Sequence, residues 1–288
     1  MKRQRFIRRH IEEYIFKFLM LVSFSLILAG LGFILFTVVS KGLPSINLEM
    51  LFQTPKGGYY LGKAGGILNA IVGSLYLAGG GTLLAILIGM PLALFMRTYA
   101  GESPFAGWVR LTLDVLWGVP SIVYGAFGFM LMLAMGLRSS LLGGIITLAL
   151  LELPILTRAV DEVVRMIPED LEQASYALGT TRLETALQII TRQMLPGIVT
   201  AMLLAFGRGI GDAASVLFTA GYTDRIPTSL LQPVGSLPLA VFFQLNTPYP
   251  EVQSRAYAAA LVLTVIVLVT SLGARWLSGR LSRYVVKS

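Results

Sequence analysis

Residues 67–96 read ILNAIVGSLYLAGGGTLLAILIGMPLALFM, thirty consecutive positions without one Asp, Glu, Lys or Arg. A helix of about 20 apolar residues crosses the hydrocarbon core of a bilayer, so this run spans it with length left for tilt or projection. Lipid offers backbone N–H and C=O groups no partners, and a helix satisfies them within one segment. Working outward, the same criterion marks spans at residues 17–39, 108–135, 140–157, 197–220 and 256–277. The expected fold class is all-α: a polytopic membrane protein with six transmembrane helices. Composition agrees, with 55% of the chain hydrophobic and only 13% charged.

The apolar part of the first span exceeds the roughly 7–15 residues of a signal-peptide core, and no small-residue cleavage site follows, so it reads as an anchor. Six Lys or Arg precede it, which assigns the amino terminus to the cytoplasm. Threading the remaining spans from there puts sixteen basic residues on the cytoplasmic side, six outside and Arg208 inside a span. The net charge of +8 is thus accounted for by the positive-inside asymmetry, with lipid as the partner and no nucleic acid. The domain reading is a leader, anchor helix and external loop at 1–63, a transmembrane domain at 64–278, and a cytoplasmic tail at 279–288. Both termini are expected in the cytoplasm.

The chain has no cysteine and one histidine, His10 in the basic leader, which removes disulfides, thiol nucleophiles and His/Cys metal sites. It contains no G-x-x-x-x-G-K-[ST] phosphate loop. Gly207, Gly209 and Gly211 form only a G-x-G-x-G run in an apolar helix, where close packing is their use. No cofactor and no catalytic residue is expected, and any energy used must come from another protein.

Residues 158–192 break the apolar pattern with ten charged side chains, so the segment belongs in water. Pro168, Glu169 and Asp170 have the signature of a helix start. Gly179 ends that helix, and Thr181 with Glu184 has capping-box spacing for the next. The expected unit is helix, glycine turn, helix. Leu171, Ala174 and Leu178 fall at helical spacing on the first helix, an apolar face suited to a groove on another protein; the plainer reading is a solvated hairpin.

Arg208 lies inside the span at 197–220, where insertion of an arginine costs about 2.5–3.5 kcal/mol, so it must face protein or water. Asp212, four residues on, lies on the same helix face, and the two can pair. A guanidinium is always charged and its forked donors match oxyanion geometry, so Arg208 is either half of a structural ion pair or an anion site. Arg158 ends the span before the polar loop, as the positive-inside rule alone would supply, and Glu152 could pair with it through a helix loosened by Pro154. Arg110 and Asp114 have the spacing of a structural i, i+4 pair. Tyr124, Thr219 and Gln244 are further polar candidates along a path, or simply bond neighbouring helices.

From residue 67 onward the chain resembles the inner-membrane permease of binding-protein-dependent ABC importers. The resemblance is carried by Gln173-Ala174-Ser175, then Tyr176-Ala177-Leu178-Gly179, and the closing Leu195-Pro196-Gly197-Ile198. The usual glutamate of the signature is Gln173 here, with Glu172 displaced by one, and Thr191-Arg192 stands where an earlier Leu-Pro is common. Val119-Pro120-Ser121-Ile122-Val123-Tyr124-Gly125, Leu217-Phe218-Thr219-Ala220-Gly221, Gly65-Gly66-Ile67 and Leu237-Pro238-Leu239 look like the A-type permease subunit of phosphate-specific importers. Asp212-Ala213-Ala214-Ser215 replaces a glutamate followed by Thr-Ala-Pro.

The resemblance implies a type I ABC importer permease fold in a bacterial inner membrane. It implies a homologous C-type permease, an ATPase dimer and a phosphate-binding protein as partners. A coupling loop at 158–196 would dock on the ATPase through Glu172, Gln173, Ala174, Ser175, Leu178, Gly179, Thr181 and Glu184. Arg208 and Arg158 would line the phosphate path, with Asp212, Glu152, Tyr124 and Thr219 beside them. Two alternatives stand next to this reading: an ABC permease for another oxyanion such as sulfate or molybdate, and an ion-driven secondary transporter using Arg208 and Asp212 as a relay.

Overall fold

A computed structural model describes residues 2–56, 65–101 and 103–281, so Lys63, Arg283 and Lys287 lie outside the described residues. Five helical segments are long and apolar enough to cross a membrane: Glu12–Ser45, Leu68–Ala100, Leu141–Arg165, Arg182–Gly211 and Pro250–Arg280. Their elements are α1 (Lys2–Gly42), α3 (Leu68–Phe95, with a wider π turn over Met96–Ala100), α6 (Leu141–Arg165), α8–α9 and α11 (Pro250–Leu281). In α8–α9, Arg182–Glu184 and Thr191–Gly211 are joined by a π-helical turn at Thr185–Ile190. Shorter helices are α2 (Leu48–Phe52), α4 (Pro104–Trp117), α5 (Ser121–Ala134), α7 (Glu169–Ala177) and α10 (Leu237–Leu245).

The expected span at 108–135 is a bent pair, not one rod: α4 and α5 meet at 102°, and the sixth crossing exists only if the two count as one. Gly118, Val119 and Pro120 make the break. Proline has no N–H and forces the preceding residue out of the helical region, so the ladder cannot pass. Tyr124 Oη donates to the Leu116 carbonyl at 2.8 Å, beside Val119 N at 3.1 Å, where Pro120 has no N–H to offer. Alone, fourteen-residue α5 measures about 21 Å, short of the hydrocarbon thickness.

The span expected at 197–220 is also corrected. Its helix starts earlier, at Arg182, and stops at Gly211, after which Asp212 is extended (φ −82°, ψ 122°) and residues 214–220 form turns. Ser215, Val216, Thr219 and Ala220 of this irregular stretch are buried in protein, where non-helical backbone is tolerated. Carbonyls of this stretch and of the loop after it also serve the start of α6, where N–H groups lack intrahelical partners. Ser140 N donates to Thr219 O, Leu141 N to Gln232 O and Leu142 N to Leu230 O, each at 2.8 Å.

The centre of the bundle is the α3–α6 pair. Gly81 and Gly89 on α3 admit Leu148, Leu156 and Thr157 of α6, the close approach that small residues provide where no hydrophobic effect drives helices together. α9 and α11 complete the bundle. Toward the polar loop the core is Leu156, Val160, Val164, Ile190, Met194 and Ile198; at the other end it is Leu77, Leu148, Ile210, Val216, Val234 and Leu239. The most apolar window of α1 is wholly unburied, and the helix meets α11 near its last turn, where Lys41 lies 4.9 Å from the Tyr257 ring centroid.

Candidate functional site

The helix–glycine–helix unit forms where its local chemistry places it. Glu169, Asp170 and Glu172 occupy the first turn of α7, at the positive end of its dipole, with Pro168 as the N-cap residue. Gly179 adopts φ +84°, a conformation available to glycine without Cβ strain. Thr181 and Glu184 complete a reciprocal capping box, with Thr181 N donating to Glu184 Oε2 at 2.8 Å and Glu184 N to Thr181 Oγ1 at 3.3 Å.

Tertiary contacts then aim the unit. Arg97, at the end of α3, pairs with Glu172 at 2.8 Å. Ser175, Thr180 and Thr185 close a triangle of hydroxyls at 2.7, 3.0 and 2.9 Å, stapling α7 to the helix after the turn. Two expected coupling residues therefore face inward: Glu172 holds Arg97, and Ser175 is buried in the hydroxyl triangle. Leu171 also leans on the core, so it does not share one outward face with Ala174 and Leu178. Gln173, Ala174, Gly179, Thr181 and Glu184 are exposed, with Leu178 86% and Met166 80% exposed at the tip. Leu183 and Leu187, beyond the turn, are exposed as well. Arg97, Thr180 and Thr185 were not singled out in sequence, because their partners lie on a different helix or across the turn.

At the loop-side ends of α4 and α6 the charges are paired, though not as their spacing suggests. Arg110 bonds Asp161 at 2.9 Å rather than Asp114, four residues on. Arg158 reaches Asp114 at 2.9 Å, Asp161 at 3.1 Å and Glu162 at 3.1 Å. Asp161, with its side chain 1% exposed, receives both guanidiniums, which compensate a carboxylate taken out of water. Arg158 is thus held by three carboxylates, one of them shared with Arg110, and does not meet Glu152.

Glu152 points elsewhere. It is wholly buried in α6; Oε2 accepts from Thr82 Oγ1 of α3 at 2.7 Å, and Oε1 has no hydrogen-bond partner. Oε1 lies against Gly209 of α9, where any Cβ would overlap it. Arg208, one residue earlier, is exposed in the last turn of α9, and no ion pair or hydrogen bond of its side chain is found among the described residues. Asp212 does not pair with it. The helix ends before the i, i+4 spacing can apply, and Asp212 Oδ1 accepts from Ser215 N at 2.8 Å. Tyr124 and Thr219 are buried and bond backbone carbonyls of their own chain, and Gln244 is buried beside Tyr222. Among the described residues, the arrangement thus offers an exposed, unpaired guanidinium in the last turn of α9, toward the end of a candidate span, and exposed apolar side chains on the polar loop.

Residues 85–283 match the family described as binding-protein-dependent transport system inner membrane component. The phosphate transport system permease protein PstA of Xylella fastidiosa (strain 9a5c) is 37% identical, over 84% of this chain and 83% of that one. The protein of the same name from Haemophilus influenzae is 33% identical over 83% of each chain. PstA 1 of Mycobacterium tuberculosis (strain CDC 1551 / Oshkosh) is 32% identical over 93% of this chain and 89% of its own. Among solved structures, an inward-facing conformation of the MetNI methionine ABC transporter superposes with a TM-score of 0.57 at 16% identity, covering 77% of this chain and 96% of the other. A bacterial ABC transporter involved in import of the polysaccharide alginate gives 0.50 at 15% identity, over 89% and 96%. These two likenesses concern the fold.

Proposed function

Because the chain belongs to the family of binding-protein-dependent transport system inner membrane components, we propose that it is the permease subunit through which an ATP-driven importer passes inorganic phosphate. The observation that carries phosphate as the substrate is the match, over more than four-fifths of the chain, to several phosphate transport permeases. The chain is a transport component that breaks no bond of its substrate, and ATP hydrolysis belongs to a separate subunit. It works with a second permease, an ATPase and a substrate-binding protein; in the finer reading these are a homologous C-type permease, an ATPase dimer and a phosphate-binding protein.

The mechanism follows from the two features left unsatisfied in the single chain. The apolar tip at Met166, Leu178, Leu183 and Leu187 seats in a groove of the ATPase, with Gln173 and Ala174 on the same side. Closure of the ATPase dimer pulls α7. Arg97–Glu172 and the hydroxyl triangle pass that pull to α3 and to the start of α9, because both join the loop to a spanning helix. Arg208, exposed at a depth where lipid would be prohibitive, faces the partner permease and the path between the two, and binds phosphate weakly enough to release it. Asp212, near the same helix end, accepts a hydrogen bond from the P–OH group that phosphate carries near neutral pH and sulfate lacks. Arg158, tied to three carboxylates, takes the anion only by exchanging those partners.

The protein is a multi-pass inner-membrane protein, and in the proposed orientation both termini and the 158–196 loop are cytoplasmic. The absence of cysteine makes that orientation directly testable. Impermeant maleimide applied to intact spheroplasts is expected to label Arg138→Cys, and to label Arg275→Cys only after permeabilisation. The reverse pattern overturns the orientation.

Reconstituted vesicles test the function itself. With binding protein outside and ATP inside, the complex is expected to take up phosphate and little sulfate or molybdate, and to stop when ATP is withdrawn. Preference for another oxyanion replaces the substrate; uptake driven by an ion gradient without ATP replaces the class.

A further inference from the structure

Glu152 is a wholly buried carboxyl with one hydrogen-bond donor, Thr82, and one oxygen without a partner. A buried charge left unpaired is unfavourable, and Asp212 adds a second negative charge within electrostatic reach. The free oxygen faces α9 at Gly209, and the next residue back along α9 is Arg208, exposed and without a partner among the described residues. An under-satisfied carboxyl and an unpaired guanidinium therefore stand on either side of the α6–α9 seam, offset by one helical residue. We propose that Glu152 is the state-dependent counter-ion of Arg208: it takes the guanidinium when the path is empty in one access state, and yields it to the oxyanion in the other. This rests on the reading of Arg208 as the anion site and adds Glu152 as a positioning residue that acts through it.

The offset has a mechanical source on the same helix. The π turn at Thr185–Ile190 lies between the coupling loop and Arg208. A π turn holds one residue more than the α turn it replaces, and such turns recur at functional sites. Relaxing it to α geometry while its start stays in place moves every later residue of α9 by one position, about 100° of rotation and 1.5 Å of rise. As the extra residue is absorbed, position 208 turns toward where 209 now lies and Arg208 toward Glu152; the full step would bring the Arg208 Cβ onto Glu152 Oε1. A fraction of that rotation suffices for a side chain as long as arginine. The seam also permits the start of such a roll, because α9 presents the buried small residues Ala201, Ala205 and Gly209 to its neighbours. From 212 to 236 the chain is non-helical, so the movement need not be carried further as a rigid rod. Pulling on the loop and switching the partner of Arg208 are then one motion.

The test uses the complete complex of both permeases, ATPase and binding protein. Glu152→Cys with Arg208→Cys is treated with a short bifunctional thiol reagent in the nucleotide-free state and in a nucleotide-trapped state. Thr82→Cys with Glu152→Cys serves as the control that cross-links in both. The expected result is cross-linking of the 152–208 pair in one state and at least a several-fold lower yield in the other. Failure in both states while the control reacts, or equal yield in both, overturns the proposal. The cross-link reads geometry and does not depend on which anion is carried, so a failed phosphate assay and a failed cross-link remain separate results. Glu152→Gln adds a kinetic readout in a binding-protein-independent background: removing the competitor lowers both the half-saturating phosphate concentration and the turnover several-fold, and Glu152→Asp restores both. A loss of turnover with unchanged half-saturation marks a purely structural residue and also overturns the proposal.

Discussion

Arg208→Ala abolishes phosphate uptake and leaves the permease inserted and bound to its ATPase. The second half of this expectation comes from the absence of side-chain partners among the described residues: no hydrogen bond or ion pair to them is lost with the guanidinium. The first half comes from its chemistry. Two charge-assisted hydrogen bonds to phosphate oxygens contribute about 1.5–3 kcal/mol each, so losing both lowers flux by roughly a hundredfold or more. Arg208→Lys keeps the charge and loses the planar fork, and recovers only a minor part of the flux. The measurement is radiolabelled phosphate uptake in vesicles, with ATPase co-purification as the assembly readout. Near-normal uptake by the alanine variant removes Arg208 from the path; loss of uptake together with loss of assembly makes it structural.

Gly179→Val uncouples the permease by a different route. Nothing lies within 4 Å of the position its Cβ would take, so the substitution meets no clash, and the whole effect lies in the backbone at φ +84°. An L-residue in the left-handed region costs about 1–2 kcal/mol, and a β-branched one more, so the aligned loop is depopulated by roughly tenfold or more. The turn sits between the exposed tip at Leu178 and the capping box at Thr181, and a changed turn swings the first away from the second. The expected result is normal membrane insertion with ATPase association, or transport-stimulated ATP hydrolysis, reduced by a comparable factor. Gly179→Asn is the discriminating companion, because asparagine tolerates positive φ and retains most of the coupling. Equal loss in both variants assigns the effect to the side chain rather than to the turn.

How far the chain could be read in advance depended on the range of the interaction. The spans at 17–39, 67–96, 140–157 and 256–277 appear as helices because lipid leaves an uncharged apolar run no other way to satisfy its backbone. The α7–turn–α8 unit was legible for a related reason: a proline-acid start, a glycine stop and a capping box each act within about four residues. The break in the third crossing carried its signal in Gly118 and Pro120, but a hydropathy window sums composition and is blind to direction, so two helices at 102° read as one rod.

Charge pairing was decided elsewhere. Spacing offered Arg110 to Asp114, Arg208 to Asp212 and Glu152 to Arg158, and the fold forms none of these as side-chain ion pairs. Arg110 instead meets Asp161, 51 residues away, Arg158 meets Asp114, 44 residues away, and Glu152 meets Thr82, 70 residues away. Residues four apart are neighbours only while the helix continues and only if no better partner reaches them from another element. At Asp212 the helix has already ended; at Arg110 and Glu152, α6 and α3 supply the partner. The sequence by itself determined which segments are helical, where the polar loop turns and which charges are present. Only tertiary structure decided which helix faces meet, and therefore which of those charges are neutralised and that Arg208 is left without a partner among the described residues. Partner choice depends on distance in space, which local spacing specifies within one helix and no further.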